Sequence, residues 1–270
     1  MKRTLLVCAL VCVLVVGMLV TVGCTKSDEG TTDGASAAVV LKVGTDPTFA
    51  PMEFYEGNTI TGFDIELMTA IAKEMGREVS FIDFGWDALL TALSSGSDEL
   101  DCAVSSMTIT PERQESILFS DPYFVAFQAL AVPEDSTITS IDDLKSGDTV
   151  AVQRSTTGNI WADDNLVSRG IVVKPYDGGN DCFTAMASGE VKAVVIDNFI
   201  AAEYASQPAL KAKMLGDIQG AEQENYGIPM PTGNTQLCEE INAALAKVIA
   251  NGTYKTLYLK YFGVDPVMPK

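Results

Sequence analysis

Histidine is absent from the 270-residue sequence. That absence excludes histidine-based triads and proton shuttles, and it removes the commonest zinc ligand. Positive charge is also scarce: 18 lysines and arginines stand against 36 aspartates and glutamates, for a formal net charge of −18. Such a surface repels nucleic acid and anionic lipid headgroups while aiding solubility, so no nucleic-acid partner is expected. Cysteine is sparse as well. Cys8, Cys12 and Cys24 fall near the N-terminus, and Cys102, Cys182 and Cys238 are scattered with no CxxC spacing. Neither a zinc site nor a disulfide framework is expected; buried small apolar residues are the simpler reading, with a single disulfide still open. Nothing calls for a metal or a cofactor.

What is present begins with Lys2 and Arg3, an apolar run from Leu5 to Val22, and then Gly23-Cys24. Basic residues, apolar stretch and small residue in that order read as a secretion signal over residues 1–23, to be set apart from the fold. A plain transmembrane anchor is the alternative, because the run is nearly long enough to span a bilayer. Cys24 directly after Val22-Gly23 is similar to the lipobox of bacterial lipoproteins, although Thr21 stands where that motif prefers leucine. The similarity implies a diacylglycerol on Cys24, whose two acyl chains suffice to anchor an exported protein at the membrane. Residues 24–38 are rich in Ser, Thr, Gly and Asp and read as a flexible tether with a reach of roughly 20 Å.

From Val39 onward, apolar runs of strand length alternate with helical patterns. Val39–Val43, Val79–Ile82, Cys102–Val104, Thr149–Val152, Ile171–Val173 and Ala193–Ile196 read as strands. Asp64 stands where it can cap a helix carrying Ile65, Met68, Ile71, Ala72 and Met75, and Trp86–Leu93 reads as another helix. Such βα alternation implies an α/β fold with mostly parallel sheets flanked by helices. Two near-identical hexapeptides, Thr91-Ala-Leu-Ser-Ser-Gly96 and Thr184-Ala-Met-Ala-Ser-Gly189, each close a helix and lead into a strand, which points to two lobes of similar build. The extended stretch Tyr123–Val132 carries the chain from one lobe to the other and Tyr226–Pro231 returns it, before helices over Thr235–Ala250 and Thr253–Tyr261. The expected lobes are 39–125 with 227–270, and 126–226, joined by a two-strand hinge.

Ligands of open α/β sheets lie beyond the carboxyl ends of the strands. Polar residues stand at four such places: Asp46; Ser105, Ser106 and Thr108; Thr156 and Thr157; and Asp197. Thr110-Pro111-Glu112-Arg113 reads as a helix start, with Thr110 as N-cap and Pro111 at the first position. Arg113 there is a cation on a first turn, mildly unfavourable without an anion nearby and otherwise a solvated side chain. Ser155-Thr-Thr-Gly158 also precedes a helical stretch, whose free N–H groups suit a small anion or a carboxylate. Taken one at a time, Asp197 reads equally as a helix cap, and Phe49 and Trp86 as core aromatics.

The blocks GTDPTFAPMEF (Gly44–Phe54), GFDIELMTAIAKEMG (Gly62–Gly76), WDALLTALSSG (Trp86–Gly96), VSSMTITPERQESILFSDPY (Val104–Tyr123), VAVQRSTTG (Val150–Gly158) and AVVIDN (Ala193–Asn198), in that order, strongly resemble the polar amino acid-binding proteins of ABC importers. Among these proteins the chain is similar to the histidine-, lysine/arginine/ornithine- and glutamine-binding proteins. The resemblance implies a two-lobed periplasmic-binding-protein-like fold of type II and a monomer. It also implies capture of a free L-amino acid by lobe closure, and delivery to an import permease. By the same resemblance, Arg113 grips the ligand's α-carboxylate with two parallel hydrogen bonds, and Thr157, beside Thr156, takes it from the opposite lobe. Asp197, with Ser106 and Thr108, accepts from the α-ammonium. Phe49 and Trp86 flank the side chain, and Asp46, Ser105 and Gln153 meet its polar tip. A carboxylate at that tip favours a basic ligand over glutamine. Two other functions stay open: a dehydratase-type enzyme on the same scaffold, and an amino acid-sensing module.

Overall fold

The computed structural model describes residues 39–269; the expected signal, Cys24 and the tether lie outside the described residues. The chain enters through strand β1 (Val40–Thr45), whose Leu41 and Val43 are buried, and turns into a small antiparallel flap of β2 (Thr48–Phe49), β3 (Glu53–Glu56) and β4 (Thr59–Thr61). Gly62 follows with φ of +132°, a backbone state open to glycine, and a Cβ there would run into the Met52 carbonyl. Helix α1 (Phe63–Glu74) then buries Phe63, Leu67, Met68 and Ile71. Strand β5 (Glu78–Asp83), helix α2 (Trp86–Ser95) and strand β6 (Cys102–Ala103) complete a parallel sheet in the order β5-β1-β6. The short helix α3 (Pro111–Gln114) leads to strand β7 (Ile117–Phe119).

Strand β8 (Phe124–Ala126) takes the chain to a second, five-stranded sheet. It contains β9 (Gln128–Pro133), β10 (Thr149–Gln153), β11 (Val172–Tyr176), β12 (Ala193–Asp197) and β13 (Ala212–Asp217), with helices α4 (Thr157–Leu166), α5 (Gly179–Ala187) and α6 (Asn198–Ser206) between them. The order is β11-β10-β12-β9-β13, and β9 alone runs against its neighbours. Period-two alternation buries both faces. Val150 and Val152 pack with Leu166 and Ile171, whereas Ala151 between them joins Phe183 and Met186 on the other side. Continuous apolar strands such as Ala193–Ile196 are what a sheet covered on both faces requires.

The return is made by β14 (Glu224–Tyr226), antiparallel to β8, and β15 (Pro229–Pro231), antiparallel to β7. Helices α7 (Thr235–Ala250) and α8 (Thr253–Phe262) then pack on α1, where Phe63 sits edge-on to Tyr254, Tyr258 and Phe262. Two sheets, each flanked by helices and linked by paired crossing strands, make the two-lobed α/β architecture expected from the sequence. Among the described residues no helix is long and apolar enough to cross a membrane.

Two local expectations change. Asp64 caps no helix: α1 starts two residues earlier than a cap there would place it, behind Gly62, and the Asp64 carboxylate is fully buried among side chains. The single extended stretch from Tyr123 to Val132 is two strands, one in the crossing and one in the second sheet. Cys102, Cys182 and Cys238 are free and buried, and burial pushes the thiols of Cys102 and Cys182 up to about 12. Because both φ and the Met52 carbonyl oppose a side chain at position 62, Gly62→Ala is expected to lower unfolding free energy by about 2 kcal/mol or more in urea denaturation. A change below about 0.5 kcal/mol, the level of an ordinary surface substitution, would contradict this.

Candidate functional site

All eleven residues picked out in the sequence line one small cavity, and Glu53 joins them as a twelfth. From the first lobe come Asp46 beyond β1, Phe49 on β2, Glu53 on β3, Trp86 at the start of α2, Ser105, Ser106 and Thr108 beyond β6, and Arg113 on α3. The second lobe supplies Gln153 and Asp197 from the ends of β10 and β12, and Thr156 and Thr157 from the start of α4.

Arg113 is held from several sides. Thr110 Oγ1 accepts from its backbone N–H at 3.1 Å, the N-cap expected from the sequence. Its Nη1 donates to the Thr108 carbonyl at 2.9 Å and its Nη2 to the Ser155 carbonyl at 3.4 Å, while the guanidinium lies 5.3 Å from the centre of the Trp86 ring. The Trp86 indole N–H donates to the same Ser155 carbonyl at 3.1 Å. Ser155 has φ of +58°, which turns that carbonyl back across the cleft just ahead of α4. On α4 itself, Thr156 Oγ1 caps the Asn159 N–H at 3.2 Å. The first-turn N–H groups have no intrahelical acceptor and are available to an anion.

Buried carboxyl groups dominate the rest of the wall. Asp46 is almost wholly buried; it accepts from Gln153 Nε2 of the opposite lobe at 2.8 Å, and burial raises its pKa to about 6. Glu53 accepts from the hydroxyls of Ser105 and Ser106 at 3.2 and 3.4 Å. Burial, and then the neighbouring Asp64 and Asp46, push its pKa well above the usual carboxylate range. Asp197 occupies the N-cap position of α6 without capping it. Its carboxylate accepts instead from Gln128 Nε2 and, at 2.7 Å, from the Tyr226 hydroxyl; burial and the nearby Glu224 raise its pKa to about 8.

Three residues outside the sequence-derived set shape this wall. Glu224, on the return strand β14, accepts from the hydroxyls of both Thr108 and Thr157, the latter at 2.9 Å, so it ties the lobes together. Gln128 bridges Glu224 and Asp197 with one amide group, and Gly158 leaves room for its carbonyl oxygen. Asp64 accepts from the Ser106 backbone N–H at 2.8 Å and fixes that residue at φ of +50°. Thr157 thus has its α4 amide for an anion while its hydroxyl is taken by Glu224. Likewise the Ser106 hydroxyl turns toward Glu53 and Asp64, away from Asp197. Glu53 had a weak sequence signal, a charge inside the apolar run Pro51-Met52-Glu53-Phe54; Glu224, in a polar stretch beside Glu222, had none. Among the described residues no cluster of His, Cys, Asp and Glu has the arrangement of a metal site.

The raised pKa values carry a sign. In the folded chain Asp46, Glu53 and Asp197 hold protons that the unfolded chain, with ordinary carboxyls near 4, has already released. Their contribution to stability is full below about pH 4 and is lost as pH rises through about 6 and about 8. The ligand-free protein is therefore expected to melt at a higher temperature at about pH 5 than at about pH 8. Calorimetric scans giving the opposite order would show that these groups ionise freely in the empty cavity.

The sequence model of the bacterial extracellular solute-binding proteins, family 3, matches residues 41–264. A probable histidine-binding protein of Neisseria gonorrhoeae is 30% identical over 241 residues, 89% of each sequence. Among solved structures, the arginine-, lysine-, histidine-binding protein ArtJ from Geobacillus stearothermophilus is similar with a TM-score of 0.77 and 37% identity, covering 85% of this chain and 96% of that one. An ancestral arginine-binding protein bound to arginine has a TM-score of 0.77 and 40% identity, covering 83% of this chain and 98% of that one. The chain accordingly belongs to family 3 of the bacterial extracellular solute-binding proteins and has the two-lobed fold of its solved relatives.

Proposed function

We propose that this protein captures a basic L-amino acid between its lobes, outside the cytoplasm, and presents it to the permease of an ABC importer. What carries the reading is charge: a small cavity is lined by Asp46, Glu53 and Asp197 against the single cation Arg113. A basic amino acid brings one carboxylate and two cationic groups, and so offsets that excess; a neutral amino acid offsets less, and an acidic one adds to it. Enclosed charges need charged, well-aimed partners, because each loses its hydration.

In this reading the α-carboxylate meets Arg113 and the first-turn amides of α4 at Thr156 and Thr157. The α-ammonium meets Asp197. The side chain runs between Phe49 and Trp86, and its tip meets Asp46, Ser105 and Gln153. Since the carboxylate is held from both lobes, the ligand favours the closed form and drives closure. The histidine- and arginine-binding relatives support the ligand class. Lobes over 39–125 with 227–270 and over 126–226, hinged at the paired β8 and β14, fit the motion. The protein acts as a monomer, without turnover and without a cofactor. A lipid on Cys24, after removal of residues 1–23, holds it beside the permease.

A calorimetric panel of the twenty amino acids plus ornithine and citrulline tests this directly: arginine, lysine, ornithine or histidine is expected to bind best. A preference for glutamate or for an apolar residue would overturn the reading. Arg113→Ala removes two charge-assisted hydrogen bonds, about 3 kcal/mol or more, and should weaken any amino acid by about a hundredfold or more. Asp46→Asn should weaken a basic ligand far more than glutamine; equal losses would take Asp46 out of side-chain selection.

A further inference from the structure

Behind the cavity wall, Glu53 and Asp64 form a buried carboxyl pair for which the proposed contacts of Asp46, Arg113 and Asp197 have no use. Glu53 is 1% exposed and Asp64 fully buried, yet Glu53 still lines the cavity. The two carboxyl groups lie side by side, Glu53 Oε2 and Asp64 Oδ2 each 3.4 Å from the Ser106 hydroxyl, and burial raises the pKa of both, an arrangement that favours one shared proton. Every other partner of the pair is a donor of neutral charge. Ser105 and Ser106 donate hydroxyls to Glu53, while the Ser106 N–H and the Tyr123 hydroxyl, at 2.8 Å, donate to Asp64.

The charged and titratable groups that face the pair are all acidic. Asp46 approaches from the end of β1, and Tyr123 from just ahead of β8, with the Tyr254 hydroxyl of α8 on the Tyr123 carbonyl behind it. Asp83 and Asp181 add negative potential at Asp46. Among the described residues no lysine or arginine makes an ion pair or hydrogen bond with either member. A buried carboxyl pair without a cation keeps one proton, because two adjacent charges cannot both be held there.

We propose that Glu53 is a second specificity-determining residue for the cationic tip of the ligand, and that the Glu53–Asp64 pair releases its shared proton to solvent as that tip enters. The inference rests on the basic-ligand reading above. The O–H bond within the pair breaks, the proton leaves to buffer, and the carboxylate so formed pairs with the guanidinium or ammonium. The Ser105 and Ser106 hydroxyls stay on Glu53 throughout and hold its oxygens at the cavity wall. A neutral side chain gives the pair no reason to ionise, so it leaves the proton in place. Selection between arginine and its neutral isostere citrulline then grows with pH, because the charged ligand competes with a proton for one site.

Titration calorimetry with arginine and with citrulline, in phosphate and in Tris, tests this on the intact protein. At about pH 8, where Asp46 is already ionised, wild type is expected to release one proton more on binding arginine than on binding citrulline, any proton leaving Asp197 being common to both; its preference for arginine should rise about tenfold between about pH 5.5 and about pH 8. Glu53→Gln keeps the shape and the serine contacts. It should weaken arginine by about tenfold or more, change citrulline by less than about threefold, and abolish the difference in proton release between the two ligands. Asp46→Asn should keep that excess release, which gives a readout that does not depend on Glu53→Gln folding. Equal proton release with arginine and with citrulline in wild type would overturn the proposal, as would equal losses for both ligands in Glu53→Gln or loss of the excess release in Asp46→Asn. Failure of wild type to bind any basic amino acid would instead remove the ligand reading, and this inference with it.

Discussion

An excess of buried carboxylate around a single guanidinium is the constraint on which the rest of this protein depends. Asp46, Glu53 and Asp197 surround the cavity, Asp64 and Glu224 stand directly behind its wall, and Arg113 is the one cation lining it. Such an arrangement costs stability in the empty molecule, since every carboxyl must be desolvated and several must hold a proton. A fold optimised only for stability would place apolar residues there. Under the proposed function the frustration is resolved by a small cation with a carboxylate of its own, and the two-lobed architecture gives that cation a way in and out.

The scaffold places the opposing groups from elements that are rigid for independent reasons. Val43 and Val150–Val152 anchor the central strands of the two sheets, so Asp46 and Gln153 leave the carboxyl ends of strands that cannot shift register without exposing core. Their 2.8 Å hydrogen bond runs between lobes, as does the contact of Trp86 and Arg113 with the Ser155 carbonyl. Glu224 adds a third link from the hinge itself, through Thr108 and Thr157. The cleft is thus closed by a few directional contacts around the cavity rather than by a broad apolar seal. That suits an equilibrium a small ligand can tip, because closure contacts worth little in themselves leave the decision to the ligand.

Much of this was legible in the sequence wherever the cause was local. Thr110 and Pro111 announce the start of α3, and the continuous apolar runs announce strands buried on both faces. The collinear motif blocks carry all eleven of the cavity residues that were named. What escaped was set by distant packing. Asp64 carries the ordinary signal of an N-cap, but Gly62, held against the Met52 carbonyl, moves the helix start and sends that carboxylate inward. Glu53 sits on a two-sided flap whose buried face is chosen by contact with the loop beyond β6, and Glu224 is distinguished from Glu222 only by pairing of β14 with β8. Roles shift for the same reason: the hydroxyls of Ser106 and Thr157 point to carboxylates that the linear motifs do not reveal.

The most direct test of the central claim is a crystal structure of the protein, residues 25 onward, grown with arginine. The account predicts one ligand in the cavity, its carboxylate within hydrogen-bond distance of the Arg113 guanidinium and the start of α4. Its α-ammonium should lie on Asp197 and its guanidinium against Asp46 and Glu53. A ligand bound with its carboxylate away from Arg113, or a saturated crystal with arginine only outside the cleft, would contradict it.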